Sequence, residues 1–397
     1  MLNYFKNIKN SFKLKHYVNY IGVALALIMF SVLYYAGALN FSTPTLLNQI
    51  GYSIILAVSL NLVVGHLGEL SLGHAGFMCV GAYIGATVAN ALVGKMPLLL
   101  VLAISMLAGG ASAAIFGFAV GLPALRLRGD YLAIVTLAAG EILGNICKNL
   151  PFFGGAMGLE SKYYSASLSL GKKGVPAFIT TLVAVLIMLF VIQNLIRSKH
   201  GRAITAVRDN EIAAKSMGIN VTYYKLFVFV ISAFFAGVAG VIYEGSLSPV
   251  EYSVSSYNYS IEILVMVVLG GMGSIRGSIV SATLITYINF LLKAELSEFP
   301  AMKTLLYALI LIIMVIYKNA PALKGLRERL NLKNLTDKIK NKVLGLKPDA
   351  AEIHDDAGEW DEIPTKIITD EVLSTDFALQ TYNPDKPDKS SSRKENK

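Results

Sequence analysis

The sequence predicts an all-α protein: a polytopic transmembrane helical bundle of about ten spans, with two Gly-rich helix breaks and a short helix in its main basic loop. Three observations predict it. Of 397 residues, 54% are hydrophobic and 15% charged, where an average soluble domain is about 25% charged. Charge-free apolar runs of span length recur along the chain, and only helices or closed barrels satisfy their backbone in lipid. Lys and Arg gather in alternate loops, which places those loops in the cytoplasm.

Residues 1–16 form a basic N-terminus carrying Lys6, Lys9, Lys13 and Lys15. The membrane domain is expected over 17–320. Its first run, 17–39, is too long for the apolar core of a signal peptide and lacks a small-residue cleavage site, so it reads as a retained span. Residues 45–64 return inward. A polar, Gly-rich interruption follows, with Gly65, Gly68, Glu69, Ser71, Gly73 and His74. Irregular backbone at membrane depth is tolerated only where protein buries it or where it lines a cavity. An unpaired carboxylate there would cost about 2.5–3.5 kcal/mol. The segment is therefore either a break lining a pathway or a tight interfacial turn with Glu69 in water.

Residues 77–93 and 98–122 are the next two spans, joined to the following one by a basic turn with Arg126 and Arg128. Asp130 at its end can cap span 131–147. Glu141 on that span either faces a pathway or pairs with Lys148, two turns along the same face. Residues 148–176 are expected to be the longest external loop. Its Gly154, Gly155 and Gly158 either let the backbone approach a neighbour or ligand closely, or leave the loop flexible.

Span 177–195 leads into the most informative stretch, the loop 196–222, with Arg197, Lys199, Arg202, Arg208 and Lys215. It reads as a short helix. Asp209 or Asn210 can cap it, Glu211 stands in the first turn where the dipole favours it, and Gly218 supplies a left-handed stop. Ala213, Ala214 and Met217 would give it a small-residue face for another protein to pack on. The plainer reading is a solvated loop helix.

On span 223–243, Ala236, Gly237, Ala239 and Gly240 allow close helix packing. Residues 244–259, polar and aromatic, suit an outer turn. A short inward element at 260–269, with Glu262 facing water or a pathway, ends at Gly270, Gly271 and Gly273. Gly65 and Gly68 match Gly270 and Gly273 at one offset of 205 residues. Paired breaks in two halves point to a central pathway. Runs 278–292 and 303–317 close the membrane part.

Lys324, Arg327, Arg329 and Lys333 make 321–347 a cytoplasmic basic segment. From Pro348 there are 13 acidic against 6 basic residues, with too little apolar material for a core, so 348–397 reads as an acidic disordered tail. The net charge of +9 is therefore a balance in which the Lys and Arg of the remaining chain sit beside membrane runs, where they orient it and face anionic lipid, so no nucleic-acid partner is expected. Cys79 and Cys147 lie in apolar surroundings without ligand-type spacing and read as buried thiols. No metal site or cofactor is expected. No G-x-x-x-x-G-K-[ST] loop occurs, so ATP hydrolysis would have to come from partners and the chain is not expected to be an enzyme.

Glu211-Ile-Ala-Ala-Lys-Ser-Met-Gly218 resembles the E-x-A-A-x-x-x-G signature of bacterial ABC importer permeases. The flanking residues 201–211 and 218–221 are similar to branched-chain amino acid permeases of the LivM type. Residues 65–77 resemble that family's G-x-x-G-x-L-S-L-G-H-A-x-F motif, with Glu69 where Gln is usual, and 125–137 its L-R-x-x-G-x-Y-L-A-I-x-T-L block. Residues 153–159 resemble T-G-G-x-x-G-L, with Phe153 in place of Thr. The resemblance covers roughly residues 20–320.

It implies a pore subunit in a bacterial cytoplasmic (inner) membrane, both termini inside. It implies as partners a second permease subunit, two ABC ATPase subunits and an extracytoplasmic amino-acid-binding protein. The loop helix becomes the cytoplasmic coupling helix, with Arg202, Arg208, Asp209, Glu211, Ala213, Ala214 and Gly218 coupling to ATPase. Gly65, Gly68, Glu69, Ser71, Gly73, His74, Gly270, Gly271 and Gly273 would line the translocation pathway. Glu141, Gly154, Gly155 and Gly158 are further candidate contacts. One alternative is a sister permease for urea or short amides. Another, from a different class, is an ion-coupled secondary transporter using Glu69, Glu141 or Glu262, which leaves the capped Ala-rich helix unexplained.

Overall fold

The computed structural model describes residues 42–127, 129–170, 177–246 and 256–295, with isolated positions before and after. They belong to the first of the chain's two units, Met1–Asn319. The expected spans at 17–39 and 303–317, most of the outer turn at 244–259, the basic segment 321–347 and the acidic tail lie almost wholly outside the described residues.

Apolar runs become helices here because a helix pairs every backbone group within its own segment. In order they are α1 (Ser42–Asn61, continued by a π-helical turn, Leu62–Leu67), α2 (His74–Leu92), α3 (Leu98–Ala124), α4 (Asp130–Asn149) and α5 (Lys162–Leu170). Then come α6 (Ala177–Arg197), α7 (Lys199–Asp209), α8 (Glu211–Ser216), α9 (Val221–Glu244), α10 (Tyr257–Gly270) and α11 (Ile275–Glu295). Among the described residues seven helices are long and apolar enough to cross a membrane. They are α1 with its π-turn, α2, α3, α4, α6, α9 and α11. The chain is a multi-pass membrane protein. With 14 residues, α10 is apolar but short. At 1.5 Å per residue it reaches about 21 Å, less than a bilayer core of about 30 Å.

Two local expectations change. Gly129, with φ 59°, occupies the N-cap of α4, and Asp130 stands inside the first turn, where the helix dipole favours its charge. The external loop is more ordered than its glycines suggested. Helix α4 runs to Asn149, two 3-10 turns follow (Pro151–Phe153 and Gly155–Met157), and α5 fills much of the remainder.

Helix α9 is the centre of the bundle, packed against α1, α2 and α3. Small residues allow this. A Cβ on Gly237 would overlap the Gly109 carbonyl and the Ala113 side chain, and one on Gly81 would overlap the Gly237 backbone. Without a hydrophobic drive between helices in lipid, such close backbone approach is what holds spans together. Large apolar side chains also point outward, among them Leu107 and Ile115 on α3 and Phe190 on α6. A surface facing hydrocarbon requires that pattern. Cys79 and Cys147 are both buried.

Gly237→Leu tests the packing. Overpacking at such a site costs about 1–3 kcal/mol. The expected result is a lower Tm in detergent and less protein in the membrane, whereas Ile187→Leu, on the exposed side of α6, leaves both near wild type.

Candidate functional site

The centre of interest is the stretch between α1 and α2. After the π-turn, residues 68–73 are not helical, so their backbone groups need partners elsewhere. They have them. The N–H of Glu69 donates to the Val63 carbonyl at 3.2 Å, and that of Leu72 to Thr136 Oγ1 on α4 at 3.1 Å. Just beyond, the N–H of Ala75 reaches Ser260 Oγ on α10 at 3.3 Å. The buried His74 ring places Nε2 2.8 Å from Ser59 Oγ, and Ser232 Oγ of α9 donates to the Ser59 carbonyl at 2.6 Å. Ser71 is buried, and its hydroxyl has no hydrogen-bond partner among the described residues.

The second interruption, between α10 and α11, lies against the first. Asn61 uses both ends of its carboxamide there: Oδ1 accepts from the Gly273 N–H at 2.8 Å, and Nδ2 donates to Ser278 Oγ at 2.9 Å. Any Cβ on Gly65 would collide with the Gly273 backbone. Gly68 and Gly273, equivalent by sequence offset, have φ of 82° and 81°. A side chain is strained in that left-handed region, which explains glycine at both points. Gly271 lies between at φ 95°, and Gly270 packs on the backbone of Gly277 and Ser278.

The basic loop forms two helices rather than one. Ser198 caps α7, accepting from the Gly201 N–H at 3.3 Å. Of the two candidate caps for α8, the structure uses Asn210, whose Oδ1 accepts from the N–H groups of Ile212 and Ala213, both at 3.0 Å. Asp209 pairs with Arg208 instead, at 2.8 Å. Gly218 has φ 82° and ends the turn. The expected small-residue face is corrected: Ala214 is 4% exposed and packs inward, whereas Ile212 is 74% and Met217 83% exposed. In a six-residue helix packing decides which face turns out, and here the outward face is Ile212, Ala213 and Met217.

Side chains tie this loop to the first interruption. Arg208 Nη1 donates to the Gly65 carbonyl at 3.2 Å, and the Arg208 stem lies against Gly68. Lys225, near the start of α9, has a side chain only 5% exposed and meets two carboxylates: Glu69 at 2.5 Å and Glu211 at 3.2 Å. Glu69 is therefore part of a buried ion-pair cluster, not a carboxylate in water.

With that geometry in view, the family described as the branched-chain amino acid transport system permease component matches residues 42–315. The chain belongs to this permease family. It is 33% identical over 331 residues to the high-affinity branched-chain amino acid transport system permease protein LivM of Salmonella typhimurium, covering 75% of this chain and 72% of that protein. To LivM of Escherichia coli it is 33% identical over 314 residues, 71% of this chain and 70% of the relative. A probable LivM of Methanocaldococcus jannaschii is 28% identical over 254 residues, 61% of this chain and 70% of that one.

In this permease the remaining candidates lie apart from the cluster. Arg202 is exposed on α7. Glu141 accepts from the Tyr257 N–H at 2.7 Å, at the N-terminus of α10, where the dipole favours a carboxylate. Glu262 accepts from Asn289 Nδ2 at 3.1 Å. Gly154, Gly155 and Gly158 all have positive φ, and the close backbone contacts at Gly154 are with Gly158 itself. Phe153, in the place of the family's Thr, packs on Tyr83 with ring centroids 5.3 Å apart. Ser161, at the end of this loop, is buried and donates to Glu244. Among the described residues no group of three or more His, Cys, Asp or Glu could hold a metal ion.

Sequence reasoning missed Lys225, Asn61 and Ser278. Lys225 did carry a signal, an ionisable residue just inside an apolar helix. Asn61 and Ser278 carried none before their neighbours were known.

Asn61→Leu removes both of these bonds while keeping the number and branching of side-chain heavy atoms. Each bond lost costs about 1–3 kcal/mol when its partner is left unsatisfied, and Ser278 is fully buried, so a lowered Tm is expected. A Tm equal to wild type would show that the two interruptions hold together without Asn61.

Proposed function

We propose that this chain is the membrane-spanning permease subunit of an ATP-driven importer for branched-chain or related amino acids. It works with a second permease chain, two ABC ATPase subunits and an extracytoplasmic amino-acid-binding protein. It sits in the inner membrane with ten spans and both termini in the cytoplasm. The observation that carries this reading is α8: a capped helix with an outward apolar face at Ile212, Ala213 and Met217, and an inward face bonded to the bundle through Glu211.

In this reading the ATPases dock on α8. Arg202 and Arg208 of α7 flank the contact, Asp209 and Glu211 fix the helix, Ala213 lies on its surface, Ala214 seats it, and Gly218 ends it. Nothing but Ser198 separates α6 from α7, and residues 217–220 alone separate α8 from α9. A displacement of the loop therefore reaches two spans through short links. The pathway runs past the two interruptions, with Gly65, Gly68, Glu69, Ser71, Gly73 and His74 on one and Gly270, Gly271 and Gly273 on the other. Hydrolysis is left to the partner subunits. The ion-coupled alternative needs carboxylates available to a coupling ion, but Glu69, Glu141 and Glu262 are engaged by Lys225, the Tyr257 N–H and Asn289.

The deciding experiment uses the purified complex in vesicles loaded with ATP and lacking ion gradients. Leucine uptake is expected there, and none by this chain alone under a proton or sodium gradient; the opposite pair of results would establish the secondary transporter. Ile212→Asp with Met217→Asp should abolish co-purification with ATPase at normal membrane abundance, because charges replace the exposed apolar contact.

Orientation is read separately. A cysteine replacing Met157, 87% exposed in the loop after α4, is expected to react with an impermeant thiol reagent in intact cells. One replacing Lys199, exposed at the start of α7, reacts only after the cells are opened. Reversed labelling would invert the topology.

A further inference from the structure

We propose that Lys225 is the positioning residue that carries movement of α8 into the interrupted segment Gly65–Gly73, as a latch held on both sides. The inference rests on the permease reading above. Its basis is that one buried ammonium is shared between carboxylates from the two parts that would have to move together. Glu69 belongs to the interrupted segment and Glu211 to the first turn of α8, and Lys225 Nζ contacts both, at 2.5 and 3.2 Å.

Three features make this a transmission path rather than a static ion pair. The first is the anchor. Lys225 springs from α9, whose neighbouring Val228, Phe229 and Ser232 are buried, so its backbone is fixed while its four-carbon stem lets Nζ swing. The second is the absence of escape. At 5% exposure the ammonium has little water to replace a lost carboxylate, and breaking one side leaves buried charge incompletely paired. A small displacement of α8 is thus followed by Nζ and by Glu69. The third is compliance at the receiving end. Glu69 follows Gly68 at φ 82° and lies in the non-helical run 68–73, which no intrahelical ladder stiffens. A fixed anchor, a swinging charge and a receiving segment outside any helix are arranged in series.

Arg208, bonded to the Gly65 carbonyl, is a second tether to the same segment. Its side chain is 39% exposed, so water competes for the guanidinium and the tether yields more readily than the buried one.

The test measures substrate imported per ATP hydrolysed, using the complete complex in vesicles, with Tm recorded for each variant. Glu69→Ala leaves Lys225 paired with Glu211, so the protein folds and hydrolysis continues, but the ratio is expected to fall about tenfold, as for loss of one charge-assisted hydrogen bond. Glu69→Gln keeps an oxygen that accepts from Nζ and retains more of the ratio than Glu69→Ala. Glu211→Ala lowers the ratio as Glu69→Ala does.

The decisive variant combines Glu69→Ala, Glu211→Ala and Lys225→Met. It holds no buried charge from the cluster, a kind of replacement that folds well. Its ratio should equal that of the worse single variant, since a link already cut cannot be cut again. A wild-type ratio in Glu69→Ala, or losses that multiply in the triple variant, would overturn the latch; so would a lowered Tm with no change in ratio. If the wild-type complex imports nothing on ATP, the importer reading fails first and takes the latch with it. A wild type that imports while Glu69→Ala stays coupled removes the latch alone.

Discussion

A buried ammonium cannot be left unpaired, and that requirement shapes this protein around Lys225. Its side chain sits in the bundle at 5% exposure, where losing water costs several kcal/mol per ion. Two carboxylates offset that cost, and neither is local in sequence. Glu69 must come from the connection between α1 and α2, and Glu211 from the loop between α7 and α9. Satisfying one charge therefore brings the α1–α2 connection and the short helix α8 to a common point.

The interruption obeys the same logic in neutral form. Residues 68–73 forgo helical bonds, so their backbone groups must find partners outside a helical ladder. Thr136 of α4 takes the Leu72 N–H, and around the segment Ser260 of α10 takes the Ala75 N–H while Asn61 of α1 holds Gly273 and Ser278. Those hydroxyls and amides reach the segment because glycines let the helices close up, with Gly76 on Gly140 and Gly81 on Gly237. Small residues and polar residues are thus complementary parts of one solution.

Much of this was legible in one dimension and some was not. Apolar runs marked the described spans, because the bilayer sets both their length and their composition. Gly218 was readable since a left-handed backbone leaves few residue choices, and Gly68 and Gly273 stood out by their common offset. The pairing of Glu69 was not, because it depends on Lys225, which lies in a different helix more than a hundred positions away in the sequence. The outward face of α8 was misjudged for a related reason. Six residues make too little helical pattern to set an orientation, and tertiary packing turned Ala214 in and Ile212 out. Likewise Asp209 and Asn210 are equally good caps in isolation; a salt bridge to Arg208 occupies one and leaves the other to cap.

The brevity of α8 also bears on biogenesis. Isolated helices below about 12–15 residues are marginal in water, so its six residues borrow their helicity from Asn210, from the seat beneath Ala214 and from the ion pair at Glu211. Lys225 of α9 supplies the last of these, and it is in place only once α9 has packed in the bundle. A nascent or misfolded chain consequently displays no ordered ridge at Ile212 and Met217. In the importer reading proposed above, recruitment of soluble subunits then becomes a readout of completed folding.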